Sequence, residues 1–408
     1  MPRLPPEANA APGASTPQRG PGAPVETGAG GGMSTPERGP GAPGETGAAR
    51  GTRTPPRGPV PAVAEIRVAV RRLLAAERPD RVLVACSGGA DSVALAAATA
   101  FEAPRIGIPA GLVTVDHRLQ PGSAKRAEAV ADLGRTLGLD PVLVLAVDVG
   151  TGGGPEAAAR DARYAALRGA ALEADPPSAA VGEPGRGRVA VLLGHTLDDQ
   201  AETVLLGLGR GSGPRSIAGM RVADGLWLRP LLGARRSTTR AACVAESLPV
   251  WDDPHNADPR FTRSRLRSEV LPLLDEVLAG GVAEALARTA DLVRADLDAL
   301  DVLAAAVTAA VVDPPPALEH PAAVGGTGAH GSTVLDAVAL AAHPPAIRTR
   351  VLRSWLGAAG VPPVTSAQLR AVDALVADWH GQGPVALPSG LAARRRSGRL
   401  HVARPDGS

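Results

Sequence analysis

The sequence predicts an α/β fold: a parallel twisted sheet with helices on both faces, followed by a smaller, mainly helical α+β domain. Three observations carry that expectation. Short β-rich runs alternate with Ala-rich amphipathic stretches after residue 61, and such alternation means crossover connections between parallel strands. Polar residues able to do chemistry fall just after the strand runs, where sheets of this kind bind ligands. Beyond Pro272 the pattern turns helical and then closes on a β-rich, arginine-rich stretch.

Residues 1–60 stand outside this pattern. "TPQRGP" at Thr16, "TPERGP" at Thr35 and "TPPRGP" at Thr54 recur every 19 residues. Nothing in that unit can build a core, so a disordered leader is expected, with Met33 as another candidate start. "PAVAEIRVAVRRLL" then opens the fold with helical periodicity. Strands are predicted at Val82–Ala85, around Leu112–Val115, at Val142–Val147 and at Val189–Leu193. Helices fill the gaps at about Ser92–Phe101, Ser123–Leu137, Pro155–Glu173 and Leu197–Leu206. Asp175–Arg188 reads as a surface insertion before the fourth strand. Further on, "AEALARTADLVRADLDALDVLAAAV" reads as one long helix, and a Pro/Gly-rich loop follows at Asp313–Ser332. Two more helices lead to "GPVALPSGLAARRRSGRLHVA", a terminal hairpin or meander. The expected division is 1–60, 61–275 and 276–408.

Composition narrows the class. The net charge of +2 is carried by the leader, which holds six Arg and four Glu, so the rest is balanced. A polyanionic partner must therefore be met by local patches. Residues 210–275 are one such patch, with eleven Arg against seven acids, and Arg394, Arg395, Arg396 and Arg399 make another. Arginine has displaced lysine everywhere except Lys125, so no single arginine is a signal by itself. Two cysteines, Cys86 and Cys243, suit neither a disulfide framework nor a four-cysteine metal site. No apolar run reaches the roughly 18–20 residues that span a bilayer, and no signal-peptide core opens the chain. No membrane association and a cytoplasmic location are expected.

The stretch "VLVACSGGADSVAL" poses the functional question. Gly88 and Gly89 let the backbone turn so that successive N–H groups face an anion. The helix that starts near Asp91 and Ser92 adds its positive end. Ser87 and Ser92 offer hydroxyls, and Asp91 can hold a magnesium ion bridging phosphates. The plain alternative is a strand-to-helix turn capped by Asp91 or Ser92. Asp116-His117 ends the second strand. Arg160 and Arg163 sit three apart on one helical face. "LLGHTLDDQAETVLL" supplies His195, Asp198, Asp199 and Glu202, the acids lying over the first turns of one helix. A pocket of that kind can hold an amino group or a magnesium ion. Thr196-x-x-Asp199 also fits a capping box, which accounts for Asp199 but not for His195 or Glu202. Asp252-Asp253-Pro254 and Asn256 form a rigid polar loop, and "RFTRSRLR" begins a basic helix that, taken alone, is a solvated charged surface.

The Ser87–Ser92 segment resembles the pyrophosphate-binding loop of the N-type ATP pyrophosphatases, which hold the leaving group without a P-loop lysine. "SGGADS", "DHRLQPGSA", "ARDARY", "GHTLDDQAETVLLGLGRGSG", "IAGM", "LRPLL" and "WDDPHNADPRFTRSRLR" together resemble the tRNA(Ile)-lysidine synthetase family. Gln120 stands where that family's pattern has arginine, with Arg118 as a nearby cation. The resemblance implies a catalytic domain at 61–275 and an accessory tRNA-binding domain at 276–408. It implies ATP as substrate, Mg2+, L-lysine, and tRNA(Ile) with a CAU anticodon. The wobble cytidine would be adenylated at the oxygen on carbon 2, and lysine would then displace AMP. Ser87, Gly88, Gly89, Ala90, Asp91, Ser92, Asp116 and His117 are then expected at ATP, with Asp91 at the metal. Asp199 and Glu202 would bind lysine; Asp91, Arg163, His195, Asp199 and Glu202 would be catalytic. Arg235, Arg236, Arg263, Arg265 and Arg267 would meet tRNA. A homodimer is compatible with the sequence, which does not fix the oligomeric state. Other pyrophosphatases stay open at this point, an ammonia-dependent NAD synthetase or a tRNA thiolase that would want paired cysteines, as does a different class, a non-catalytic nucleotide sensor or tRNA-binding module on the same fold.

Overall fold

The computed structural model describes residues 60–118, 122–148, 150, 155–174, 188–211, 213–253, 258–313 and 334–404. The leader, Gln120, nearly all of the 175–188 insertion, Pro254–Asn256 and most of the Pro/Gly-rich loop lie outside them.

Helix α1 (Pro61–Glu77) starts with proline, whose missing N–H is needed by nothing at that position. It lays Val63, Ile66, Val70 and Leu74 on the sheet at three- and four-residue spacing. Strands β1 (Arg81–Ala85), β2 (Ala110–Asp116), β3 (Val142–Ala146) and β4 (Val189–Leu193) are parallel and lie in the order β3-β2-β1-β4. Helices α2 (Ala90–Glu102), α3 (Ser123–Thr136) and α4 (Pro155–Glu173) make the crossovers. The chain moves outward from β1 to β3 and then returns to β1's other side at β4. This reversal opens a crevice beyond the carboxyl ends of β1 and β4. The Ser87–Ser92 loop and His195 both emerge there.

Strand alternation sends side chains to two cores. Val82, Val84, Ala190 and Leu192 face α1, α2, α3 and a later helix, α7 (Arg236–Ala245). Leu83, Val113, Val191 and Leu193 face Leu167, Ala170 and Ala171 of α4. Each fully buried Val or Leu contributes about 1.5–3 kcal/mol. The sheet also gains two strands the sequence does not signal, β5 (Ala223–Asp224) and β6 (Trp227–Leu228), in the order β4-β6-β5. Two-residue strands carry no alternation to read.

Helix α5 (Leu197–Arg210) follows β4 and packs on α6 (Pro214–Ile217) and on α10 (Val282–Val311). Between them, α8 (Thr262–Arg265) runs through a π turn at Leu266–Val270 into α9 (Leu271–Val277). Pro272, at the start of α9, has no N–H to close the α-helical ladder, which accounts for the wider turn before it. The 30-residue α10 joins two apolar clusters. Its first turns pack with Leu197 and Ala201, while Ala304 and Val311 pack with Ile347, Val351 and Trp355. Asp301 of α10 accepts from Arg215 at 2.7 Å and from Arg350 at 2.9 Å. The C-terminal part contains α11 (Ala337–Ala341), α12 (Pro345–Ala358) and α13 (Ser366–Ala377). An antiparallel sheet closes it, with β7 (Leu335–Asp336), β8 (Val385–Ala386), β9 (Ala392–Arg396) and β10 (Arg399–Ala403) in the order β7-β10-β9-β8. No described helix is long and apolar enough to cross a membrane.

One close approach fixes where α5 sits. A Cβ on Gly207 would lie 2.2 Å from the backbone carbonyl oxygen of Ser216, an obstacle that no side-chain rotation relieves. Gly207→Ala is expected to destabilise the fold by about 1–3 kcal/mol through overpacking. A urea titration with unchanged slope and a lower midpoint checks this.

Candidate active site

Three segments converge at the crevice. The Ser87–Ser92 loop is braced from within. The Ser87 N–H donates to Ser92 Oγ at 3.1 Å, and Ser92 Oγ donates to the Gly89 carbonyl at 2.9 Å. Ser92 is 7% exposed, so its hydroxyl shapes the loop rather than reaching outward. Gly88 takes φ +87°, and a Cβ there would meet Val130 at 3.0 Å, which is why this turn wants glycine. Gly89 is the N-cap of α2, so the first N–H groups of that helix point into the crevice without intrahelical acceptors. Gly194, at the end of β4, allows close packing of backbone on backbone. A Cβ there would lie 3.1 Å from the backbone of Asp91 and Ser92.

The second segment is the start of α5. The Thr196 N–H and hydroxyl both donate to Asp199 Oδ2, at 2.8 and 2.9 Å, so the cap foreseen in the sequence forms. Asp199 Oδ1 remains for other work and accepts from Arg236 at 2.6 Å. Glu202 is 1% exposed. The Arg267 guanidinium grips it with a fork, Nε to Oε1 at 2.9 Å and Nη2 to Oε2 at 3.2 Å.

The third segment, α7, brings the residue that ties the others together. Arg236 is the first residue of α7. Its side chain meets Asp91 at 3.4 Å, Asp199 at 2.6 Å and Glu202 at 3.5 Å. Its backbone N–H donates to Asp198 Oδ2 at 2.8 Å. Thr239, one turn later, donates its hydroxyl to Asp91 Oδ1. The pocket expected from sequence to be simply acidic is therefore threaded by two arginines. The reason is electrostatic: carboxylates this close and this buried need compensating charge.

Charge states follow from these neighbours. Burial pushes the Asp91 carboxyl up and outweighs Thr239 and Arg236, with Asp199 adding to the rise. Burial works on Asp199 in the same sense, but Arg236, Thr196 and His195 overcome it and hold it below the usual range. Burial, assisted by the positive charge of Arg163, lowers His117. Burial also lowers His195, to about 4, and its Nδ1 has no hydrogen-bond partner. Both imidazoles are neutral near pH 7. Burial raises both thiols, Cys243 to about 11, which disfavours the thiolate in these two buried side chains.

These groups line a cavity of about 720 Å³. Ser87, Gly89, Ala90, Asp91 and Ser92 form one wall, and Asp116 and His117 of the β2 end form another. Arg163, His195, Asp199, Arg236 and Arg267 complete it. A smaller cavity of about 390 Å³ shares His117, Arg163, His195, Asp199 and Arg267, and adds Glu202, Arg160, Phe261 and Arg263. The arrangement offers an anion cradle opening onto a second chamber of mixed charge.

The five arginines expected at a polyanion divide. Arg236 and Arg267 sit inside the carboxylate cluster. Arg235 pairs with Asp198 at 3.3 Å and with Glu284 at 3.4 Å. Arg265 is exposed and held by Glu269 at 2.9 Å. Arg263 lines the smaller cavity. Arg118 pairs with Asp148 at 3.4 Å while its N–H donates to Asp116 at 2.9 Å; the Gln120 question lies outside the described residues. Trp227 packs edge-on against Tyr164 with centroids 4.7 Å apart. The organising role of Arg236, the Thr239 hydroxyl and the close packing at Gly194 have no local motif in the sequence.

Comparison with known proteins agrees across the chain. A family model described as the PP-loop domain matches residues 63–274, and one described as the TilS substrate binding domain matches residues 335–401. The tRNA(Ile)-lysidine synthase of Streptomyces coelicolor is 52% identical over 374 residues, covering 84% of this chain and 98% of its own. The synthase of Thermobifida fusca is 51% identical over 346 residues, with 84% and 98% covered. That of Rhodococcus erythropolis is 52% identical over 347 residues, with 83% and 95% covered.

The depressed His195 value makes a pH prediction. Its folded value of about 4 lies below the ordinary 6.5, so unfolding takes up a proton between the two. The stability gained by keeping it neutral is complete above pH 6.5 and is lost as pH falls toward 4. A His195→Gln variant is expected to lose less stability than wild type across that window. Urea midpoints at several pH values check it; equal slopes for both proteins contradict it.

Proposed function

The chain belongs to the tRNA(Ile)-lysidine synthase family, and from that premise we propose how its residues divide the work. The protein is an ATP-using ligase that forms lysidine on tRNA(Ile). In our reading, ATP adenylates the oxygen on carbon 2 of the wobble cytidine in a CAU anticodon and pyrophosphate leaves. The ε-amine of free L-lysine then attacks carbon 2 and AMP departs. One observation carries the assignment: the phosphate cradle and the Asp199–Glu202 carboxylates share one continuous site through Arg236.

The loop from Ser87 to Ser92 is proposed to hold the β and γ phosphates by backbone N–H groups, with Ser92 as its internal brace. Asp116 and His117 would contact the nucleotide from the β2 end. Asp91, whose carboxyl faces the cavity beside the cradle, is the proposed contact for Mg2+. Such an ion would supply positive charge to the phosphates as they separate. Arg163 would stabilise the same developing charge.

Asp199 and Glu202 are proposed to receive the lysine ammonium. It has to share oxygens now held by Arg236 and Arg267. At about 4, His195 is too weak a base to take the amine proton unaided. Phosphate charge nearby raises a histidine, and His195 is proposed as the proton acceptor in the nucleotide-bound state. Arg263 and the exposed Arg265 are proposed to meet tRNA phosphates, with Arg235, Arg236 and Arg267 contributing charge from behind. We also propose the division 1–60 leader, 61–275 catalytic domain and 276–408 accessory tRNA-binding domain, and a cytoplasmic location. A homodimer would cover exposed apolar side chains of α10 such as Leu292 and Val302.

The test separates the two steps. Full-length protein with ATP and tRNA(Ile) alone is expected to release pyrophosphate, and only lysine is expected to complete AMP release. Turnover that ignores tRNA and follows ammonia contradicts the proposal. Glu202→Gln is expected to raise the KM for lysine about 10- to 100-fold, the loss of one charged contact, with adenylation largely kept. Equal loss in both steps sinks the lysine assignment.

A further inference from the structure

A P-loop meets its triphosphate with a lysine, whereas the single lysine of this chain, Lys125, lies outside the phosphate loop. Beyond the cations already proposed, Arg163 and Mg2+ at Asp91, the charge that leaves with pyrophosphate meets another positive group in the cavity beside Ser87–Ser92. Arg126, in the first turn of α3, is built into that place. Its guanidinium carbon stands 4.5 Å from the ring centroid of Trp251. Trp251 is itself fixed on the loop, because its backbone N–H donates to the Gly88 carbonyl at 2.9 Å. A Cβ on Gly88 would lie 3.9 Å from the Trp251 Cβ, and one on Gly89 would lie 4.0 Å from the Trp251 carbonyl oxygen. The indole is thus a shelf mounted on the two glycines, and the guanidinium rests on it.

Both residues line the 720 Å³ cavity together with Ser87, Gly89 and Ser123. The start of the 14-residue α3 faces the same space and adds its positive end. Further charges of both signs line the same cavity, among them Arg118, Arg163, Arg236 and Arg240 and the carboxylates Asp116 and Asp252. Arg240 is taken up by Asp252 at 2.7 Å. A guanidinium on an aromatic face is held in place and weakly hydrated while its planar donors still match phosphate oxygens.

We propose that Arg126, braced on Trp251, grips the β and γ phosphates of ATP and the pyrophosphate they become. It does the work of the absent P-loop lysine from a neighbouring helix. The inference rests on the use of ATP at this site and adds to it a residue specific for the leaving group.

Calorimetric titration of the full chain with inorganic pyrophosphate and, separately, with AMP tests it. Arg126→Ala is expected to weaken pyrophosphate binding about 10- to 100-fold, the loss of a charge-assisted contact, and to leave AMP affinity unchanged. Trp251→Phe keeps a ring under the cation and retains pyrophosphate affinity, whereas Trp251→Leu loses part of it. Wild-type affinity for pyrophosphate in Arg126→Ala overturns the proposal. So does equal weakening of pyrophosphate and AMP, which makes Arg126 a shaper of the cavity and no more. Failure of the wild-type chain to bind AMP overturns the reading of the site as an ATP site, and this inference with it.

Discussion

Arg236 is the interaction on which the site depends. Asp91 arrives from the first turn of α2, Asp199 and Glu202 from α5, and Asp198 meets the backbone of Arg236 itself. Without a shared cation these partly buried carboxylates would repel one another. Removing one partner of such a buried set typically costs about 3–5 kcal/mol, because it strands the remaining charge. One side chain therefore connects the start of α2, beside the Ser87–Ser92 loop, to the carboxylates that follow β4. The strand reversal at β1 makes the meeting geometrically available; the arginine makes it electrostatically tolerable.

That arrangement explains several local choices. Ser92 is spent on holding its own loop, so the cradle offers backbone donors, the α2 start and the exposed Ser87 rather than the Ser92 hydroxyl. Asp199 divides its two oxygens between capping α5 and pairing with Arg236. The π turn before Pro272 carries Arg267 to Glu202. Burial keeps His195 neutral near pH 7. In each case the chain supplies a structure in which every buried carboxylate of the cluster has a positive or donor partner.

Much of this was legible in the sequence, for physical reasons. β1, β3 and β4 read clearly because short β-branched runs sit between turn residues. The long α10 read clearly because its apolar period persists for 25 residues or more. The glycines, Asp91, His195 and the α5 acids fall in contiguous motifs, so their proximity needed only the rule that ligands gather at strand carboxyl ends. The arginines were opaque. In a chain where arginine has replaced nearly all lysine, composition hides which guanidinium turns inward; Arg236 and Arg267 read as a surface patch and lie among carboxylates. Thr239 and Trp251 gain their roles through contacts more than 140 residues away in sequence, and β5 and β6 are too short to show alternation.

The central claim, that Arg236 binds the site into one electrostatic unit, is tested most directly by a double-mutant cycle. Unfolding free energies of wild type, Arg236→Gln, Asp199→Asn and the double variant give the coupling between the two side chains. The account predicts a coupling above about 1 kcal/mol, with the second substitution costing much less once the first is made. Additivity within about 0.5 kcal/mol would contradict it and leave Arg236 a bystander to carboxylates organised by other means.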